Sequence, residues 1–470
     1  MSKRYRGDHI VNTRRINNKC NCMKNENFCN DDHAQQIGSA WLDQQSLAHE
    51  LGASRLKADV VVLGAGIVGV SIALHLQAKG RDVVLLDRRE PGLETSFGNA
   101  GLIERSSVIP YAFPRDIRLL LSYALNRRTD VSYQPLFLPQ IATWLARYWW
   151  HSSPKRLAQA TAHMLPMIER SVLEHDELAQ AAGITHLFRR TGWIECLRSQ
   201  RWLTRAVADA ERLESYGLRY RILDQQGLAA HEPHLKPIMA GAIHWLDPVT
   251  VSDPGAVVRG YAALFVKRGG RLLRGDALTL RQCENTWKTS TDAGLLQTNN
   301  AVIALGPWSV DVLKPLGYRI PMAVKRGYHQ HFRVNERSML THPVVDVEHG
   351  FVLSPMTNGI RLTTGVELAP RDAHASPVQL DKARAKAAQM ISLGEPVEAN
   401  PWMGARPCLP DMLPVIGPAF RHRGLWMAFG HAHHGFTLGP VTGRLIADLM
   451  TGEDTGFDAT PYRLQRYGSL

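Results

Sequence analysis

Glycines 64, 66 and 69 stand directly after the apolar run Asp59-Val-Val-Val-Leu63, and an acid, Asp87, closes the next apolar run eighteen residues beyond Gly69. Residues of these types at this spacing can cradle a dinucleotide. Gly64 makes the tight turn, Gly66 lets the backbone approach a pyrophosphate, and Gly69 lets the following helix pack on the strand. The segment of Ala65, Ile67 and Val68 opens that helix and offers unpaired N–H groups to phosphate oxygens. Asp87, with Arg88 beside it, can accept hydrogen bonds from ribose hydroxyls, and an acid there disfavours a 2′-phosphate. A structural glycine turn is the bland alternative. The fingerprint alone does not separate a flavin from a nicotinamide dinucleotide.

The fingerprint needs a strand before it and a helix after it, and both are legible. Val60–Leu63 is a short buried strand, an apolar helix pattern runs to Ala78 and stops at Gly80, and Asp82–Leu86 is a second strand, giving one βαβ unit. Helical patterns dominate from Pro110 to His186, where Ile141, Trp144, Leu145, Tyr148 and Trp149 fall on one helical face. A helix from Asp253 leads past Gly269 and Gly270 into a strand at Arg271–Leu273, and Ala301–Leu305 is another buried strand. Short alternating strands from Ile320 to Val366 suggest an antiparallel sheet, and Gly435–Met450 reads as a glycine-rich turn followed by an amphipathic helix. The expected fold is α/β, a Rossmann-like dinucleotide-binding domain with an inserted antiparallel-sheet (α+β) substrate domain. Residues 57–140, 227–315 and 404–455 would form the first, and 141–226 with 316–403 the second, after an extension over 1–56.

Five further stretches occur in a fixed order: Thr95-Ser-Phe-Gly-Asn-Ala-Gly101, Val302-Ile-Ala-Leu-Gly-Pro-Trp-Ser309, Gly404-Ala-Arg-Pro407, Asp411-Met-Leu-Pro-Val-Ile-Gly417 and Gly430-His-Ala-His-His-Gly-Phe-Thr-Leu-Gly439. With them the chain, from about Lys57 to Gly452, resembles the glycine and D-amino-acid oxidase (DAO) family of FAD-dependent flavoproteins, and its Ser-Phe-Gly-Asn-Ala-Gly loop is of the type found in bacterial D-amino-acid dehydrogenases. The resemblance implies FAD, with its diphosphate at Gly64–Gly69 and its ribose on Asp87. It places Ser96, Asn99, Ala100 and Gly101 along the pyrophosphate and flavin, Gly306 at a strand end against the cofactor, and Gly435, Thr437 and Gly439 at the start of a helix aimed at the flavin pyrimidine edge. The positive end of that helix would stabilise negative charge on a reduced flavin.

The same resemblance makes Arg406 the clamp for a substrate carboxylate, since a guanidinium gives two parallel charge-assisted hydrogen bonds; a structural arginine is the alternative. Tyr328 is a candidate second contact to the carboxylate or amine, or else a core tyrosine. His434, with His431 and His433, is a candidate for substrate binding or flavin polarity against simple structural hydrogen bonding, and no metal is expected. Cys408 lies close to where one flavoprotein branch attaches FAD covalently, but its spacing to Asp411 departs from that pattern, so dissociable FAD is expected. The implied reaction is oxidative deamination of a D-amino acid or a related amino or imino acid by hydride transfer to flavin N5, giving an imine and then an oxo acid, with electrons passed to a quinone or another acceptor. An FAD-carrying subunit without activity of its own, in a hetero-oligomeric amine dehydrogenase, is the alternative, and a nicotinamide-dependent dehydrogenase is a third reading.

Bulk properties bound these readings. The chain has 470 residues with 44% hydrophobic and 21% charged, an ordinary globular balance, and no run of eighteen apolar residues for a membrane span. No export signal follows Arg14 and Arg15, so a cytoplasmic location is expected. The net charge is +12 with no nucleic-acid-binding motif beside it. Between Arg115 and Arg156 seven Lys/Arg face two Asp/Glu, with Trp144, Trp149 and Trp150 among them. That stretch either packs into its own domain or rests on the inner face of the cytoplasmic membrane, near a quinone. Of six cysteines, Cys20, Cys22 and Cys29 cluster in the leading segment, where zinc with His33 and an unstructured leader are the competing readings. Homo- or hetero-oligomers are both compatible with the sequence.

Overall fold

A computed structural model describes residues 56–126, 128–336 and 338–468. The proposed cysteine cluster lies outside the described residues. Strand Leu56–Leu63 occupies the middle of a seven-stranded sheet, between Val83–Asp87 and Gly294–Ile303, both parallel to it. Burial on both faces explains why Val60–Leu63 is apolar without alternation. Arg271–Cys283 continues the sheet beyond Val83–Asp87, and Leu425–Phe429 and Val415–Pro418 continue it on the other side. Thr286–Thr291 pairs antiparallel with both Arg271–Cys283 and Gly294–Ile303, closing a circuit of strands. The Rossmann-like α/β expectation is met.

Helix Ile67–Ala78 follows the fingerprint and is buried along nearly its whole length. It packs between helix Pro254–Lys267 and the terminal helix Gly435–Thr451. The terminal helix approaches closely because it has glycine where they touch: a Cβ on Gly439 would lie 2.7 Å from Ile67 Cγ1, and one on Gly443 would lie 2.6 Å from the Ser71 carbonyl carbon. The helix begins at Gly435 itself and is buried around most of its circumference, so the expected turn and amphipathic pattern are corrected.

A second, ten-stranded sheet runs from Val131–Tyr133 through Val366–Leu368, Ala323–Phe332, Gly359–Thr363, Phe351–Met356, Val344–Asp346, Trp193–Leu197 and Gly241–Trp245 to Tyr220–Leu223, with Trp402–Cys408 paired to Ala323–Phe332. It is antiparallel except for two parallel pairings, of Val344–Asp346 with Trp193–Leu197 and of Val366–Leu368 with Val131–Tyr133. The sequence boundaries are too simple in four places. Val131–Tyr133, Gly241–Trp245 and Trp402–Cys408 join this second sheet, and the long helix Pro154–Ala182, taken for the substrate domain, packs on the terminal helix and on Pro254–Lys267. Crossings between the layers, invisible to local periodicity, decide these assignments.

Gly443→Val should cost about 2–3 kcal/mol, the usual range for overpacking, because the new side chain meets Ser71 backbone that cannot rotate away. Chemical denaturation checks this, and an unchanged midpoint would show that the two helices separate easily.

Candidate active site

A cavity of about 970 Å³ extends from the fingerprint to the second sheet. At one end, Gly64 adopts φ +108° and a Cβ there would sit 2.5 Å from the Ala304 carbonyl oxygen, while a Cβ on Gly69 would sit 1.8 Å from the Gly64 oxygen. Only glycine fits either position. Gly66 differs, since the nearest atom to its missing Cβ is Ser96 Oγ at 3.3 Å and the residue lines the cavity. Backbone is therefore open to a ligand where a pyrophosphate needs it. Ile67, Val68, Asp87, Arg88 and Gly306 also line this end. Asp87 accepts N–H bonds from Ala65 at 2.6 Å and Arg89 at 3.0 Å, fixing the carboxylate at the strand end with lone pairs to spare for hydroxyls. Ala65 supplies this N–H from behind and does not line the cavity.

The loop Thr95–Gly101 crosses the cavity and is held from both layers. Ser96 Oγ accepts the Ile67 N–H at 3.0 Å, docking the loop on the helix start. From the second sheet, Thr95 donates to the Ala405 carbonyl at 2.9 Å and Ser354 donates to the Ala100 carbonyl at 2.7 Å. The buried Arg361 guanidinium donates to the carbonyls of Phe97, at 2.9 Å, and Asn99. Its Nε–H reaches His331 Nε2 at 3.0 Å, so His331 carries its proton on Nδ1, which faces Glu398. Burial lowers the Arg361 pKa to about 10, so the guanidinium stays charged at neutral pH.

Several expected contacts take other roles. Ser96, Asn99 and Ala100 line the cavity, but the Asn99 side-chain oxygen accepts the N–H groups of Gly101 and Leu102 at 2.8 and 3.1 Å, shaping the turn. Gly101 lies behind the wall, where a Cβ would meet the Val251 carbonyl oxygen at 2.5 Å. Gly435 lines the cavity and brings the positive end of the terminal helix to it. Thr437 does not; its hydroxyl accepts the Glu104 N–H at 3.0 Å. Gly439 serves the helix contact with Ile67 described above. Successive helical residues diverge around the axis, so three alternate positions could not all face one ligand.

Arg406 lines the cavity from strand Trp402–Cys408. It is paired with Lys325 and fits because its diagonal neighbour on Ala323–Phe332 is Gly327, whose Cβ would fall 2.6 Å from the guanidinium. One nitrogen donates to the Gly365 carbonyl at 2.9 Å, which aims the group. Burial pulls its pKa down from the usual arginine value. Tyr328 is corrected to a structural residue. Its hydroxyl donates to Glu367 at 2.7 Å and accepts from Arg326 at 2.6 Å and from the Ser376 N–H at 2.9 Å, inside a buried ion pair of Arg326 with Glu367. Tyr328 is among the residues that line the cavity, but it alternates with Gly327, which is on the Arg406 face, and its hydroxyl is spent on this ion pair.

His434 is also corrected. It is the residue before the terminal helix, buried outside the main cavity, and desolvation lowers its pKa to about 4. His431 and His433 do line the cavity. His431 bonds Thr442 at 3.0 Å, and burial lowers its pKa to about 3. Tyr111 meets the His433 ring edge-on at 4.2 Å. Cys408 is buried behind Arg406 and burial raises its thiol pKa; it does not line the main cavity. Glu104, Tyr111, Trp193, Glu195 and Lys325 also line the cavity, and sequence reasoning missed all five. Lys325 had a signal, since it stands two residues before Gly327 on the same strand face; the others lie in loops or strands with no motif.

The residues at the fingerprint end fit FAD: an open backbone cradle, an acid at the ribose position and a helix start at the far wall. Residues 59–449 match the family model DAO, FAD dependent oxidoreductase. The chain is similar to the D-amino acid dehydrogenases of Granulibacter bethesdensis, 28% identical over 87% of this chain and 99% of that protein, and of Xylella fastidiosa, 30% identical over 83% and 91%. Among solved structures it shares its fold with glycine oxidase from Geobacillus kaustophilus, 22% identical with a TM-score of 0.66 over 87% of this chain and 99% of that one. L-amino acid deaminase from Proteus vulgaris is 18% identical with a TM-score of 0.66 over 88% and 98%. Agreement of the fold, the cofactor cradle and a match over most of the chain's length leads to one conclusion: the chain belongs to the DAO family of FAD-dependent oxidoreductases.

Proposed function

We propose that this chain is an amino-acid dehydrogenase or oxidase that deaminates a D-amino acid, or a related small amino or imino acid. One observation carries the reading: the aimed Arg406 guanidinium faces the same cavity as the dinucleotide cradle. When bound, FAD supplies the hydride acceptor. The chain's own residues do the rest. Arg406 pairs with the substrate carboxylate and restrains the α carbon, converting an encounter into an oriented one. Trp193, Phe351 and Trp402 wall the cavity and limit water. Water then hydrolyses the released imine to the oxo acid, and the nitrogen leaves as ammonia or an amine. The full-length match to proteins named D-amino acid dehydrogenase supports an enzyme with its own activity over a silent partner subunit. On this reading the seven-stranded layer holds FAD and the ten-stranded sheet the substrate.

Peripheral contact with an anionic membrane, where a quinone would collect the electrons, is supported by the surface around residues 109–156. Helix Ile117–Ala124 has no buried residue, and Ile117, Leu121 and Leu125 are exposed one turn apart. Trp149 and Trp150 point outward, each with a guanidinium, of Arg115 and Arg156 respectively, 4.0 Å from its ring, whereas Ile141, Trp144 and Tyr148 turn inward. The single helical face expected to include Trp149 is thus corrected. Among the described residues no helix is long and apolar enough to cross a membrane.

Arg406→Ala should raise KM by about 100-fold, the scale of a lost charge-assisted pair, with a smaller effect on kcat; an unchanged KM would remove the clamp. Because Cys408 lies outside the main cavity, acid precipitation should leave the yellow colour in the supernatant, and a yellow pellet would establish a covalent link. Sedimentation with anionic vesicles at low salt should carry the protein down, and Trp149→Ala with Trp150→Ala should weaken it; a wild-type protein that stays in solution would dismiss the membrane contact.

A further inference from the structure

The cavity carries an acidic wall as well as a carboxylate clamp. Glu104 and Glu195 line it together with the aromatic rings of Tyr111 and Trp193. These residues arrive by separate routes. Glu104 follows strand Leu102–Ile103 and is fixed by its N–H to Thr437, while Ser107 donates to one of its carboxylate oxygens. Glu195 lies in the middle of Trp193–Leu197, and Trp245 Nε1 donates to one of its oxygens at 2.9 Å. Arg406 lines the same cavity as both carboxylates.

The unusual feature is what these carboxylates lack. Among the described residues neither has a Lys, Arg or His nitrogen within 4.0 Å. Buried carboxylates are ordinarily paired, because desolvation of an unpaired charge is costly. Burial does push both pKa values upward. A cation entering the chamber would reverse that penalty, and aromatic faces beside carboxylates add cation–π attraction. His433 Nε2, buried on the same wall, also has no hydrogen-bond partner among the described residues.

We propose that Glu104 and Glu195 select an amino acid whose side chain ends in an ammonium or guanidinium group, with Arg406, in the same cavity, taking the α-carboxylate. This specificity rests on the amino-acid reading of the same cavity. The carboxylates serve as the side-chain recognition end of a substrate with charge at both ends.

The test compares D-lysine and D-arginine with D-norleucine, an uncharged chain of similar length, on the full FAD-loaded protein with a dye acceptor. The wild type should show kcat/KM for D-lysine or D-arginine at least about 30-fold above D-norleucine, the scale of a buried charge pair. Glu104→Gln and Glu195→Gln, each retaining the flavin spectrum, should lose about 30-fold more on the cationic substrates than on D-norleucine, mainly through KM. Equal losses on both substrate types would place the carboxylates on the α-amine and overturn the proposal. So would a wild type that oxidises D-norleucine and ignores D-lysine and D-arginine, while leaving the amino-acid reading intact. If no amino acid, charged or neutral, is oxidised, that reading falls as well.

Discussion

The site depends on one loop being held from two sides. Thr95–Gly101 is the segment where the cofactor layer and the second sheet meet across the cavity, and its carbonyls accept the hydrogen bonds of a buried arginine. Arg361 supplies donors to Phe97 and Asn99 while His331 and Glu398 fix the guanidinium from behind. Ser96 ties the other side of the loop to the start of the fingerprint helix. A buried charge satisfied by several oriented acceptors is expensive to disturb, so the relay works as a rigid spacer between the fingerprint and the strand that carries Arg406.

Electrostatic order follows from that spacing. Backbone N–H groups and the start of the terminal helix give the cofactor end positive potential without mobile side chains. Arg406 adds a fixed cation to the cavity, whose walls also carry Glu104 and Glu195. The three histidines near the terminal helix are held neutral by burial, so His431 and His433 line the cavity without carrying charge at neutral pH.

The fingerprint was legible because each glycine answers a local steric demand, and Gly64 and Gly69 meet that demand through backbone atoms close in sequence or in the adjacent strand. The motif loops were legible for the same reason. Tyr328 and His434 were misplaced because their orientation depends on which face of a strand or helix looks into the cavity, and one position of error reverses it. Glu195 and Tyr111 carry no local signature at all. They reach the cavity only through pairing of Trp193–Leu197 with Gly241–Trp245 and Val344–Asp346 and through the path of the loop after Ile103. Domain boundaries failed similarly, since Gly241–Trp245 sits in the second sheet by long-range pairing alone.

The central claim, that one cavity joins a bound flavin to an amino acid, is tested most directly by the visible spectrum of the purified chain without oxygen. Addition of D-amino acids should bleach the oxidised flavin band while their L-enantiomers and nicotinamide dinucleotides leave it unchanged. A flavin band that no amino or imino acid bleaches would contradict the account.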